Sequence, residues 1–136
     1  MIDISIEATA VTPHVKIDSE ESYIIITGKS SPANSLQFYH PIINKVKMLF
    51  SNSTRPITVD IAFRYFNTSS SKCLFDFFKM LKSLERDGKE LIINWQYEED
   101  DEDMLETGED YADILNLDFN FIEVEEIEVF SLRQAV

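Results

Sequence analysis

Residues 57–78 read ITVDIAFRYFNTSSSKCLFDFF, and no other stretch constrains the fold as tightly. Ile57, Val59, Ile61, Phe63 and Tyr65 alternate with Thr58, Asp60 and Arg64, the period-two pattern of a strand with one apolar face. The alternation stops at Asn67. Four hydroxyl residues follow, Thr68, Ser69, Ser70 and Ser71, and then the apolar residues recur at helical spacing. The pattern predicts a strand over 57–66 and a helix over 70–86, with Gly88 as its C-terminal stop. One helix needs one N-cap, drawn from Ser, Thr, Asn or Asp, and this junction offers five candidates. Capping alone does not account for it. Free N–H groups and a partial positive charge make a helix N-terminus suitable for an anion, so a hydroxyl here suits a covalent phosphate.

The same strand-then-helix alternation organises the rest of the chain. Short β-like pieces occupy residues 4–17, broken at Thr12-Pro13, and SYIIITGK (22–29) reads as a strand ending at Gly28. After the turn SSPANS, where Asn34 or Ser35 can cap, residues Leu36, Tyr39, Ile43, Val46 and Phe50 recur at helical spacing. Pro41 either kinks that helix or opens its regular part. LIINWQY (91–97) is a strand with Leu91, Ile93, Trp95 and Tyr97 on one side. Residues 104–115 form a third helix despite Gly108, and 118–124 a last strand; the piece 125–136 has no clear pattern. The order ββαβαβαβ predicts an α/β fold, a mixed, mostly parallel sheet with helical cover, in a single domain spanning 1–136. Parallel strands at 22, 57 and 91 would bring SSPANS, NTSSS and EEDDED to one sheet edge, where α/β proteins tend to meet ligands and partners.

Charge narrows the partners. Asp and Glu number 25 against 12 Lys and Arg, a net charge of −13, which argues against nucleic acid and an anionic membrane surface. A basic protein partner remains compatible. The single cysteine, Cys73, falls inside a helix pattern and reads as a small buried hydrophobe. No basic-then-apolar leader pattern is present at the N-terminus and no apolar run approaches membrane-spanning length, so a reducing, cytoplasmic setting is expected.

Catalysis and cofactors find no support. His14 and His40 lie in unrelated contexts, and no nucleophile elbow, Gly-rich phosphate loop or H-E-x-x-H occurs. In the run Glu98–Asp103, a calcium loop counted from Asp101 would need Gly at its sixth position, where Glu106 stands, so the run reads as a solvated charge run. On a wheel of about 100° per residue, Cys73, Leu74, Phe75, Phe77, Phe78, Met80, Leu81 and Leu84 span roughly 220°. That is wider than one core contact needs. Either the helix is packed on two sides, or a flank with Phe75 or Met80 is an exposed docking face.

Four segments in order, ATAVTPHVKID, SSPANSLQFYHPI, YFNTSSSKCLFDFF and INWQYEEDDEDM, resemble the SiaC family of bacterial regulatory phosphoproteins, from about Thr9 to Phe121. The resemblance implies a fold similar to STAS domains such as anti-sigma-factor antagonists. It implies a non-enzymatic switch: a dedicated protein kinase phosphorylates the Thr of an N-T-S-S motif, here Thr68, and a PP2C-type phosphatase removes the phosphate. The unmodified protein would then bind and activate an output protein such as a diguanylate cyclase, raising cyclic-di-GMP. Ser69 and Ser70 match neighbouring motif positions. SPANS carries Ala33 where the family usually has Glu, and Thr107-Gly108-Glu109 and the C-terminal tail depart from the pattern. The expected partner-binding residues are Asn67, Ser69, Ser70, Lys72, Phe75 and Phe78, with Asn34 and Ser35 from the SSPANS turn. Lys72 is expected to steady a phosphate. A constitutive interaction module without phosphorylation, using the Phe75/Phe78 region, is the alternative.

Overall fold

In the computed structural model, which describes residues 2–127, nine elements follow one another among the described residues. They are β1 (Ile4–Ile6), β2 (His14–Asp18), β3 (Tyr23–Ser30), α1 (Ser35–Phe50), β4 (Ile57–Phe66), α2 (Thr68–Arg86), β5 (Leu91–Glu98), α3 (Glu102–Leu115) and β6 (Phe119–Val124). The strands form one sheet in chain order, β1 through β6. β1, β2 and β3 pair antiparallel; β3, β4, β5 and β6 pair parallel. Each helix links two adjacent parallel strands stepping in the same direction. Right-handed crossovers of that kind place α1, α2 and α3 on one face of the sheet.

This is the mixed, mostly parallel STAS-like architecture expected of the sequence. The β-like pieces at 4–17 are two strands, so β1 is an extra edge strand ahead of the ββαβαβαβ order. The core fills the helical face: Ile24, Ile26, Ile57, Val59, Ile61, Phe63, Ile93 and Trp95 meet Tyr39, Val46, Leu74, Phe77, Phe78 and Leu81. Tyr65 does not share the apolar face of Ile57–Phe63: β4 carries one extra residue at Arg64, so Tyr65 pairs with exposed Lys29 on the other face and is 53% exposed, while Phe66, opposite Ser30, packs on Phe63 at 5.3 Å between centroids. The other sheet face is half-buried and polar. There Asn94 donates to Asp60 (2.7 Å) and Asn120 donates to Asn94 (3.1 Å), a ladder across three strands. Ile127 packs on that face beside Ile25 and Ala62, its N–H donating to Glu98 Oε2 at 2.8 Å. Of the C-terminal piece, residues 128–136 lie outside the described residues.

Two local expectations are settled differently or more narrowly, and the helix expected despite Gly108 is borne out. Strand β3 does not stop at Gly28, at φ 122°; it continues through Lys29, opposite a bulge in β4 at Arg64, and delivers Ser30 to the sheet edge. Helix α1 starts at its Asn34 cap and is continuous through Pro41, so its regular part does not begin at the proline. Proline removes the donor that Gln37's carbonyl would use, but both residues face solvent, so water can supply it. Gly108 belongs inside α3 because of packing: a Cβ there would stand 2.6 Å from the Trp95 indole, which is buried and donates to the Met104 carbonyl at 3.1 Å.

Candidate functional site

Because β3, β4 and β5 run parallel, their C-terminal ends share one edge, and the turns at 31–34, 67 and 99–101 leave from it. Asn67 takes the cap of α2. Its side chain accepts from Ser70 N–H at 2.9 Å, and its own N–H donates to the Ser30 carbonyl at 3.0 Å. The helix therefore begins at Thr68, two residues earlier than the periodicity predicts, and all four hydroxyls sit inside its first turn. Asn34 does the same for α1, accepting from Gln37 N–H at 3.1 Å.

Three of the four hydroxyls are engaged. Ser70 is fully buried; its Oγ lies 2.8 Å from Ser30 Oγ and 3.3 Å from Ser35 Oγ. Ser30 Oγ also meets Tyr39 OH at 2.5 Å. Burial pushes the Tyr39 hydroxyl well above the ordinary tyrosine range, against a smaller opposite pull from its bond to Ser30. Ser69 Oγ reaches Ser35 Oγ at 2.8 Å, and donates to Asn67 Oδ1 at 3.2 Å. Ser71 Oγ lies 3.0 Å from Tyr111 OH, which itself donates to the Ser71 carbonyl at 2.8 Å. The first turns of α1 and α2 are thus tied to each other, and α2 to α3, by hydroxyls. Thr68 is the exception: it is exposed, and its hydroxyl makes no hydrogen bond among the described residues.

The residues expected at a partner surface divide by burial. Asn34, Thr68, Ser69 and Lys72 are exposed, and Asn67 and Phe75 half-buried. Lys72 is 79% exposed and 3.9 Å from Asp76, a solvated i,i+4 pair of small energetic weight. Phe75 packs on Tyr111 at 6.2 Å between centroids, with the Lys79 ammonium 5.9 Å above its ring. Ser35, Ser70 and Phe78 are corrections. Ser35 and Ser70 are buried and hold helix to helix. Phe78 is fully buried among Phe77, Trp95, Tyr111 and Phe119. Met80 is buried as well, because α2 is the middle helix and needs a wide apolar arc to serve the sheet and both neighbours. Cys73 is buried and its thiol is pushed up chiefly by that burial, which keeps it protonated and inert.

Three contributors were not expected from the sequence. Ser30 and Tyr39 complete the hydroxyl cluster, and Tyr111 holds Ser71. Tyr39 and Tyr111 fit apolar helical rows, so their polar role carried no separate signal. Leu36 was expected in the core row of α1 and is instead 62% exposed, since the buried row is Tyr39, Ile42, Val46 and Phe50. The acidic run has ordinary structural work: Asp101 caps α3 by accepting from Met104 N–H at 3.0 Å, and Glu98 stands 3.5 Å from Arg64. Among the described residues no group of three His, Cys, Asp or Glu side chains is placed to hold a metal ion. No helix among them is long and apolar enough to cross a membrane.

Comparison with known proteins agrees with this geometry. An uncharacterized protein of Pseudomonas aeruginosa (strain UCBPP-PA14) is 27% identical over 119 residues, 88% of this chain and 94% of that one. The crystal structure of apo-SiaC from P. aeruginosa superposes with a TM-score of 0.79 at 26% identity, covering 90% of this chain and 98% of that one. The structure of the diguanylate cyclase SiaD in complex with its activator SiaC, from the same organism, gives 0.83 at 25% identity, with 90% and 100% covered. The description "SiaC family regulatory phosphoprotein" matches residues 6–124, which hold both capped helix starts and the NTSSS junction. The chain belongs to the SiaC family of regulatory phosphoproteins, proteins that regulate partners rather than catalyse reactions.

Proposed function

We propose that this protein is a phosphorylation-controlled partner switch whose modified residue is Thr68. The observation that carries the reading is that Thr68, alone of the four hydroxyls in the first turn of α2, is exposed and makes no hydrogen bond among the described residues. A kinase can reach it without breaking the Ser30–Ser35–Ser70 cluster. A phosphate there adds about −1.5 to −2 charges at neutral pH. It would stand at a helix N-terminus with no acidic residue in its first turn, an arrangement that favours an anion by about 0.3–1 kcal/mol. The fold has no reason to change. What changes is the surface: a partner burying Thr68 would have to desolvate a phosphate it does not pair.

In this reading a protein kinase adds the phosphate, a PP2C-type phosphatase removes it, and the unmodified form binds an output protein. SiaC of P. aeruginosa is the activator of a diguanylate cyclase, SiaD, and an enzyme of that class is the output proposed here. Asn34, Asn67, Ser69, Lys72 and Phe75 border the contact. Site-mapping mass spectrometry on protein purified from its host without phosphatase treatment should find phosphate on Thr68. Co-purification should then recover a diguanylate cyclase with Thr68→Ala and recover less of it with Thr68→Glu, whose single charge only partly replaces a phosphate's. Equal binding by the phosphorylated and unmodified forms would leave a constitutive interaction module.

A further inference from the structure

Exposure alone does not single out one hydroxyl at the head of α2. Thr68 and Ser69 are both exposed, Ser71 is half-buried, and Ser70 is sealed from solvent. A serine and a threonine present the same nucleophile, a hydroxyl oxygen. Hydrogen bonding is what separates the two exposed ones. Ser69 Oγ donates to Asn67 Oδ1 at 3.2 Å, and an amide oxygen only accepts, so this bond holds the serine's one proton. In the 2.8 Å contact with Ser35 Oγ, Ser35 is then the donor and occupies a lone pair of Ser69. Ser71 is held in a similar way from α3. Tyr111 OH gives its proton to the Ser71 carbonyl at 2.8 Å, so Ser71 Oγ donates to Tyr111 OH at 3.0 Å.

We infer that Ser35 and Tyr111 are positioning residues that confine phosphorylation to Thr68 by locking the hydroxyls of Ser69 and Ser71. The inference rests on the switch reading above and adds how one of four similar hydroxyls is chosen. In the transfer, the hydroxyl oxygen bonds to the γ-phosphorus of a nucleoside triphosphate held by the kinase. The bond from that phosphorus to its bridging oxygen breaks, a nucleoside diphosphate leaves, and the hydroxyl proton passes to a base of the kinase. The reacting oxygen must turn a lone pair to the phosphorus and its proton to the base. Thr68 does both without breaking a bond among the described residues. Ser69 must first release Asn67 and Ser35, and Ser71 must release Tyr111, losses met before the chemistry begins. The products differ too. A phosphate on Ser69 would stand against the start of α1, where Ser35 is buried, and one on Ser71 against Tyr111; on Thr68 it enters water. The first residue of α1 thereby selects the site that is modified on α2.

The test uses the full chain in its host, carrying Thr68→Ala so that the preferred hydroxyl is gone. Site-mapping mass spectrometry reads phosphate at each serine, and thermal melts check folding. Thr68→Ala alone should leave the three serines essentially unmodified. Adding Ser35→Ala should raise phosphate on Ser69 about tenfold or more, and adding Tyr111→Phe, which keeps the ring, should do so on Ser71. Ser35→Thr in place of Ser35→Ala keeps the hydroxyl and should leave Ser69 unmodified. Phosphate on Ser69 in the Thr68→Ala chain itself overturns the inference. So does a gain with Ser35→Thr equal to that with Ser35→Ala, which would mean a loosened helix start. Folded Ser35→Ala and Tyr111→Phe chains that gain nothing overturn it as well, and leave the choice to the kinase's own preference for threonine. If Ser35→Ala does not fold, the Tyr111→Phe arm decides. A wild-type chain phosphorylated on Thr68 beside unchanged variants removes this inference alone, whereas a wild-type chain with no phosphate on Thr68 removes the switch reading with it.

Discussion

The three helices start along one edge of the sheet, yet the starts of α1 and α2 are built differently from that of α3. The first two are capped by Asn34 and Asn67, have no acidic residue in their first turns, and are bound to one another by buried hydroxyls. α3 is capped by Asp101, has Glu102 and Asp103 in its first turn, and is held by the aromatic group Phe78, Trp95, Tyr111 and Phe119. At α3 the helix dipole is already answered by carboxylates, so an added anion gains nothing there. At α2 it is unanswered, and the exposed hydroxyl of Thr68 stands in its field. The difference teaches how the fold accommodates a modification: fixed anions stabilise one helix, while the position beside the rigid hydroxyl cluster is left neutral for an anion that comes and goes.

Substitutions on each side break or sharpen this contrast. Phe78→Ala removes the ring shared by the aromatic group and should cost about 3–5 kcal/mol in chemical denaturation, whereas Phe75→Ala, half-buried, should cost clearly less. Equal losses would mean that the two rings share one environment. Gly108→Ala presses a methyl onto Trp95 and should destabilise the α3 side by about 1–3 kcal/mol, against a helix-propensity gain of about 1. Trp95 fluorescence should shift with it.

On the hydroxyl side, Ser70→Ala leaves Ser30 and Ser35 short of a buried partner and should cost about 1–3 kcal/mol by the same denaturation measurement. Tyr39 sets the alkaline limit. Its folded-state pKa is raised by burial, so the stability it contributes is intact below the unfolded value of about 10 and is lost as pH rises above it. Tyr111, also raised by burial, acts in the same direction. Thermal melts from pH 8 to 11 should show Tyr39→Phe losing less stability than the parent over the upper part of that range. The smallest effect on folding belongs to Thr68→Ala, within about 0.5 kcal/mol, because the hydroxyl it removes is exposed and makes no hydrogen bond among the described residues. A larger loss would make Thr68 a structural residue and erase the distinction between it and Ser70.

Strand and helix periods, the turn residues and the charge balance determined the α/β class, the element order and the special junction at 67–71. These are local properties, set by spacing along the chain. The assignment of roles within the junction was not local. Thr68, Ser69, Ser70 and Ser71 are chemically similar, and their separation into one hydroxyl with no bond among the described residues and three bonded ones depends on Ser30 arriving from β3, Ser35 from α1 and Tyr111 from α3. Likewise Phe75 and Phe78 differ by about one helical turn in the sequence, and only the packing of α3 and β6 against the middle helix buried the second and left the first half open. A repeating pattern fixes which face of an element is apolar. How much of that face is covered depends on which neighbours the sheet order brings beside it, and that was decided by the tertiary structure.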